Sequence, residues 1–288
     1  LLIMFYPNLA KLNNRLFLGA WRGIFWHRNH FGSLMALFSC LFLLKLALDF
    51  HKKWLAFLWL AFFLISAILV WGSRSATGVL VFIILNGLLA LFYIWLKYQK
   101  QLSKRHYAWL LVFFGGGLIV ALINLEFVFG LLGRNTTMTG RTPLWADLIS
   151  RVWMERPFLG YGFGALWNQE SFRMALTERH GWGYMIYFGD NGYLDILLNT
   201  GIIGFFLFLV FFVTTGVRSF RALWLNRDLI SVLPLLLFVY VFWANISYSF
   251  FFEVDQFVWM LLVLSSVLST QVLEPANKLP SKVNSPQP

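Results

Sequence analysis

The chain has 288 residues, 59% hydrophobic and only 12% charged, with 32 Phe, 14 Trp and a formal net charge of +11. So apolar a composition excludes a soluble globular fold, and the lack of period-two alternation over ~10-residue segments excludes a transmembrane β-barrel. The positive charge does not point to nucleic acid, because basic loops anchor the cytoplasmic side of helical membrane proteins. The chain reads as an all-α, polytopic transmembrane protein in a lipid bilayer.

In chain order, the apolar opening LLIMFY is too short to span and reads as the end of an earlier helix or as an interfacial segment. Seven apolar runs follow, at about 33–50, 54–71, 76–96, 107–125, 192–216, 229–248 and 255–272, each long enough for a transmembrane helix. The single cysteine, Cys40, falls inside the first run, packed against lipid or another helix and without an internal disulfide partner. Residues 126–191 form a long loop between the fourth and fifth runs. The tail from 273 to 288 is rich in Pro, Ser and Asn and reads as disordered. The organisation expected is therefore N-terminal membrane helices over 1–125, a large outer loop over 126–191, C-terminal membrane helices over 192–272 and the tail over 273–288.

Lysine and arginine in the short loops set the orientation. With Lys97, Lys100, Lys104 and Arg105 in the cytoplasm, alternation also places Lys45, Lys52, Lys53, Arg218, Arg221 and Arg227 inside, and Glu253 and Asp255 outside. The outer, periplasmic set then carries Lys11 and ten arginines, whereas eight of the twelve inner basic residues are lysine. Anchoring needs only charge. A preference for guanidinium suggests geometry, because its planar fork matches phosphate oxygens in a bidentate way. For Arg151, Arg156, Arg173 and Arg179 the plainer reading is favoured, as solvated residues or loose partners of Glu155, Glu170 or Asp147.

Four segments carry candidate chemistry. WRGIFWHRN, residues 21–29, leads into the first run and contributes Arg22, His27, Arg28 and Asn29. Ser73-Arg74-Ser75 places one lone charge between two apolar helices. Such a charge is costly unless it faces a wet cavity or a partner, and serines could add donors beside it. The bland reading of Arg74 is a snorkelling interfacial arginine. TGRTPLW, residues 139–145, puts Arg141 just before a short amphipathic helix over 144–154, with Leu144, Leu148, Val152 and Trp153 on one face. The last segment, DNGYLDILLNTGIIG over 190–204, opens the fifth run. Asp190, before a helix N-terminus with Asn191, is a candidate general base or an ordinary cap. His180 is a second candidate base, or a solvated loop residue. The alternating glycines of 160–164 allow the backbone to lie flat at the membrane surface with the aromatics in the interface, and Gly201 and Gly204 are spaced for close helix contact.

Together WRGIFWHRN, SRS, TGRTPLW, RPFLGYGFG and DNGYLDILLNTGIIG, in that order over residues 19–205, resemble the O-antigen ligase and O-antigen polymerase superfamily, and especially its exopolysaccharide-production branch. The resemblance implies a GT-C-like, multi-helix glycosyltransferase of the bacterial inner membrane that works on the outer face. It implies transfer of a glycan from undecaprenyl diphosphate to an acceptor, with no nucleotide sugar, no cofactor and no required metal. It also implies that the first helices of a full-length member lie ahead of this sequence. The family's two diphosphate-binding arginines map onto Arg74 and Arg141. The family usually has His immediately before the Asn of the last block, where this chain has Asp190.

The expectation is thus an inverting polymerase or ligase. Arg74 and Arg141, helped by Arg28 and Arg22, hold the diphosphate, with Ser73, Ser75, His27, Asn29 and Asn191 in support. Asp190, or His180, activates the acceptor hydroxyl of a second glycan, of lipid A core or of a protein. Trp167, Trp182, Tyr184 and Tyr187 are candidates for stacking on sugars. Two rival classes are a transporter or flippase for lipid-linked sugar or a small anion such as bicarbonate, and a membrane subunit whose active site is lost. A transporter should carry charges at mid-membrane depth in discontinuous helices.

Overall fold

The computed structural model describes residues 6, 10–12, 18–98, 141–181, 183–246, 248–252 and 257–277. The expected fourth span at 107–125, with Arg15, Arg134, Gly140, Trp182, Glu253, Asp255 and the tail beyond 277, lies outside the described residues. Within them the chain is helical, and four helices are long and apolar enough to cross a membrane: α1 (Arg28–Leu48), α2 (Lys53–Gly72), α3 (Ala76–Tyr98) and α6 (Gly192–Asn226). Between α3 and α6 lie the short helices α4 (Arg141–Asp147) and α5 (Glu170–His180); α7 (Leu233–Ala244) and α8 (Phe257–Asn277) follow. The protein is a polytopic helical membrane protein.

α1 begins where the His27 ring accepts the Asn29 amide at 3.2 Å, satisfying one of the donors that a helix start leaves open. It turns into α2 at Asp49, whose carboxylate takes Lys45 at 3.0 Å, Lys52 at 3.8 Å and the Trp59 indole N–H at 3.2 Å. α2 keeps most of its side chains outward, Trp54, Phe57, Ile68 and Trp71 among them, as expected of a lipid-facing helix. α1 and α3 touch backbone to backbone. A Cβ built on Gly78 would lie 2.7 Å from the Gly32 carbonyl carbon, so no larger residue fits there. Cys40 is fully buried on this seam, its thiol 3.6 Å from the Leu85 carbonyl.

α6 to α8 form a second group, joined to the first by packing of α7 on α3. One apolar core runs through both and includes Leu37, Leu85, Phe208, Leu236, Tyr240 and Phe251. A second core sits beside it, made by Leu144, Leu148, Val152, Trp167, Leu176 and Leu198. This smaller core binds α4, α5 and the loops between them to the first turns of α6, forming a cap. The expected amphipathic helix at 144–154 exists, with Leu144, Leu148 and Val152 inward; it passes through a π-turn at Leu148–Val152 and a 3-10 turn at Trp153–Glu155.

At 35 residues an unbroken α6 would be ~52 Å long, against a hydrocarbon core of ~30 Å. It is interrupted at Gly201, where φ is 63° and ψ −171°. Residues 192–200 are mostly buried and carry Asp195 and Asn199, whereas residues 202–226 turn Ile203, Phe206, Leu207, Val213 and Phe220 outward. The lipid-facing stretch therefore starts at the break and runs past position 216, where the apolar run read from the sequence stops. The glycine-rich segment closes the break. The Ile202 and Ile203 amides donate to the Pro157 and Phe158 carbonyls, and the Tyr161 and Gly162 amides donate to the Leu198 and Asn199 carbonyls. Gly201 thus meets a loop, not a neighbouring helix, and a Cβ there would collide with the Phe158 carbonyl.

Candidate functional site

The turn between α2 and α3 sets Arg74. Its backbone is left-handed, at φ 49°, and its side chain is exposed, donating to the Leu18 carbonyl at 3.2 Å. The turn is fixed from beneath. Ser73 Oγ donates to the Val70 carbonyl at 2.6 Å and accepts the Ser75 amide at 3.2 Å. Ser75 Oγ caps α3 by accepting the Gly78 amide at 3.0 Å, and donates to Asn29 Oδ1 at 2.9 Å. Both serine hydroxyl protons are therefore given to protein oxygens, and the serines shape the turn that presents Arg74. Arg28, 3% exposed, donates through Nη1 to the Arg74 carbonyl. Arg22 lies in the preceding loop, where its amide donates to the Ala10 carbonyl at 2.8 Å and the neighbouring Trp21 amide to the Gly72 carbonyl at 3.0 Å.

The second part is built on the cap. Arg141, 9% exposed, opens α4 and donates through Nε to Asp190 Oδ2 at 3.0 Å. Asp190 has a left-handed backbone at φ 54°. It is not the helix cap; Asn191 is, with Oδ1 accepting the Tyr193 and Leu194 amides at 3.0 and 3.1 Å. Tyr184 stands close enough to feel both charges. Burial and then the Asp190 carboxylate push its phenol above the usual range, and Arg141 opposes them. His180 is elsewhere in the cap. Its Nε2 lies 3.2 Å from Asp147 Oδ2, and Arg179 and Arg151 pair with the same carboxylate at 2.8 and 2.9 Å. Burial alone would raise Asp147, but hydrogen bonds from Arg179 and His180 and the charges of Arg179 and Arg151 hold it below its usual 3.8. Arg156 and Arg173 lie over the rings of Tyr161 and Tyr187, at 5.1 and 4.9 Å. Trp167 is buried and its indole N–H donates to Asp195 at 2.9 Å, so its ring supports the cap and does not face a sugar.

A short segment between α7 and α8 joins the two parts. The Tyr248 ring stacks on His27 at 5.4 Å and lies 6.4 Å from Phe188, while Phe250 meets His30 edge-on at 5.2 Å. Ser249 Oγ accepts the Asn191 amide at 3.1 Å and donates to Asp195. The N-termini of α1, α3 and α6 are thereby gathered at one end of the bundle with Arg28, Arg74 and Arg141. Each helix start adds partial positive charge to the guanidinium groups, which favours an anionic ligand. Tyr248, Ser249, Trp145 and Asp195 escape sequence reasoning, since serines and aromatics between apolar runs carry no spacing signal. Asp195 could have been suspected as the second carboxylate of the DNGYLDILLNT block.

These features define an integral membrane protein whose helices converge on a cationic end where Arg141 is paired with Asp190. The pattern of the O-antigen ligase family matches residues 60–209, more than half of the chain, and the chain belongs to that family. The matched region holds Arg74, Arg141 and Asp190; WRGIFWHRN precedes it. The exopolysaccharide production protein ExoQ of Rhizobium meliloti (strain 1021) is 29% identical over 125 residues, which are 40% of this chain and only 27% of that protein's length. No solved structure matches the chain.

Proposed function

We propose that the protein is a glycosyltransferase of the bacterial inner membrane, working at its outer face in the assembly of a surface polysaccharide. The donor is a glycan on undecaprenyl diphosphate, and the acceptor is a hydroxyl on a second lipid-linked glycan, on lipid A core or on a protein. The observation that carries the reading is the convergence of Arg28, Arg74 and Arg141 with three helix N-termini, beside the Asp190 carboxylate. Such an end stabilises a diphosphate as it departs, the charge developing where fixed donors already point. With Nε on Asp190, Arg141 would bring its Nη groups to phosphate oxygens in this scheme.

Asp190 takes the proton of the acceptor hydroxyl as that oxygen attacks the anomeric carbon from the face opposite the diphosphate. Attack from that face inverts the centre, and neither a metal nor a cofactor is required by this scheme. Tyr184, beside the pair, contacts the sugar in this scheme. Asp190 stands against Arg141, whereas His180 lies on Asp147 elsewhere in the cap, which favours Asp190 as the base.

One observation favours the transporter class: α6 is discontinuous. Against it, the Leu198 and Asn199 carbonyls and the Ile202 and Ile203 amides freed by the break are all bonded to 157–162, so they offer nothing to a substrate.

The test supplies the full-length purified protein with a lipid-linked oligosaccharide bearing a labelled sugar, alone, with lipid A core or with a peptide acceptor. A labelled product lost in both Arg141→Ala and Asp190→Ala supports the reading, and the acceptor that yields product separates polymerase from ligase. No product with any acceptor, together with movement of the lipid-linked sugar across reconstituted vesicles, would replace the enzyme with a flippase.

A further inference from the structure

Asp195 is a carboxylate with 0% exposure that takes no part in the chemistry proposed above. A buried carboxylate is an acceptor without a donor of its own, and it is tolerable only where donors surround it. Here three come from three separate stretches of chain. Trp167 Nε1 donates from the cap at 2.9 Å, the Gly189 amide reaches both carboxylate oxygens at 3.1 and 3.2 Å, and Ser249 Oγ donates from the segment between α7 and α8. Gly189 is held on its other side too, because Trp145 Nε1 on α4 donates to its carbonyl at 2.7 Å. A side chain at 189 would crowd Asp195, with a Cβ 3.1 Å from Oδ1. On the far side of Asp190, the Asn191 amide donates to the same Ser249 hydroxyl.

Asp190 therefore sits between two clamped neighbours, and both clamps lead to Asp195, one directly and one through Ser249. A non-glycine residue at φ 54° is strained and persists only where its surroundings impose it. These surroundings do, and they turn the carboxylate onto Arg141. Trp145 belongs to the same short helix as Arg141, so both ends of the ion pair are tied to the Gly189 peptide.

We propose that Asp195 is the positioning residue of the site: through Gly189 and Ser249 it holds Asp190 in its left-handed backbone and so fixes the Arg141–Asp190 pair, without touching substrate. The proposal rests on the roles given to Arg141 and Asp190 above. The experiment compares Asp195→Asn, Trp145→Phe and Ser249→Ala with the native full-length protein, each shown to be monodisperse in detergent. Trp145→Phe opens the clamp without disturbing the buried carboxylate and so stands if Asp195→Asn fails to fold.

In transfer assays, Asp195→Asn and Trp145→Phe are expected to lower kcat at least tenfold with KM for the lipid-linked donor within twofold, and Asp195→Asn is expected to add nothing to Asp190→Ala. A further tenfold loss in the double variant would overturn the proposal in favour of a general structural role. An independent arm reads modification by phenylglyoxal, arginine by arginine, in mass spectra. Arg141 is expected to become several-fold more reactive in both clamp variants while Arg74 is unchanged. Equal reactivity of Arg141 in all proteins would overturn the clamp. A native protein that transfers no sugar would fell the glycosyltransferase reading, and the phenylglyoxal arm would then decide this proposal by itself.

Discussion

Arg74 projects from a left-handed turn and gives its guanidinium to a backbone carbonyl, while Arg141 is nearly buried and gives its Nε to the Asp190 carboxylate. Among the described residues no carboxylate lies within ion-pair distance of Arg74. Its position comes from backbone, through the close approach of α1 and α3 and two serine hydroxyls. The position of Arg141 comes from side chains reaching across the cap. A charge held by backbone can take an incoming phosphate without giving up a partner of opposite sign. A charge held by a carboxylate arrives oriented, and its partner shares the field of whatever binds. One end of the molecule thus combines a charge ready to capture an anion with a charge aligned for the reaction.

The widest separation between the two is expected in Arg→Ala variants. Arg141→Ala should reduce labelled-sugar transfer by about 1000-fold or more, since it removes a fixed donor from the leaving group. Arg74→Ala should reduce it by roughly 10- to 100-fold, mainly through KM. In thermal unfolding Arg141→Ala should cost about 3 kcal/mol by stranding a mostly buried carboxylate, and Arg74→Ala less than about 0.5 kcal/mol. Equal losses in both assays would erase the distinction.

Next in size is Gly201→Ala, which sets a Cβ against the Phe158 carbonyl at a positive φ. It should cost about 3 kcal/mol and open the cap to proteolysis, with the Arg141 side failing before the Arg74 side. Gly162→Ala, also at positive φ but with its nearest neighbour 3.8 Å away, should cost only about 1 kcal/mol.

On the Arg74 side, Ser75→Ala removes a helix cap and leaves Asn29 Oδ1 without its donor. About 1–2 kcal/mol is expected, with a rise in KM for the donor and little change in the reactivity of Arg141 to phenylglyoxal.

The smallest effect concerns pH. The folded protein holds Asp147 below its usual value, so the stabilisation is present above the unfolded value near 3.8 and fades as pH falls through the lower folded value. Proteolysis of 170–181 should accelerate only below about pH 4. In Asp147→Asn that acid sensitivity should disappear. Acid sensitivity that persists in Asp147→Asn would assign it to another group.

The membrane helices were legible because their cause is local. Apolar runs of the length of a bilayer placed α1, α2 and α3 within a few residues of their ends, apart from the earlier start of α1 at Arg28, and composition alone put Arg74 between two of them. The break in α6 was hidden, since Gly201 sits within one long apolar run and its bonding partners lie some forty positions earlier. The pairing of Arg141 with Asp190 was hidden for a similar reason: 49 residues separate them, and either one reads as an ordinary helix-start residue. Trp167 reads as a sugar contact because an aromatic in a polar loop looks available, and only the second core shows it turned inward. Asn86, with Nδ2 on Ser39 at 3.0 Å, and Ser219, 3.1 Å from Ser265, tie apolar helices together by polar contacts that hydropathy does not register.

The pairing of 157–162 with the break in α6 also sets an order of assembly. The acceptors and donors of this stretch are completed only by residues 198–203, which leave the ribosome later. Until they do, the cap's own loop has unfilled backbone positions and Leu198 is missing from its core. A nascent chain halted before Ile203 should therefore carry a protease-sensitive cap, and one halted after α6 a resistant one. The helix that crosses the bilayer thus acts as the template on which the preceding segment is finished.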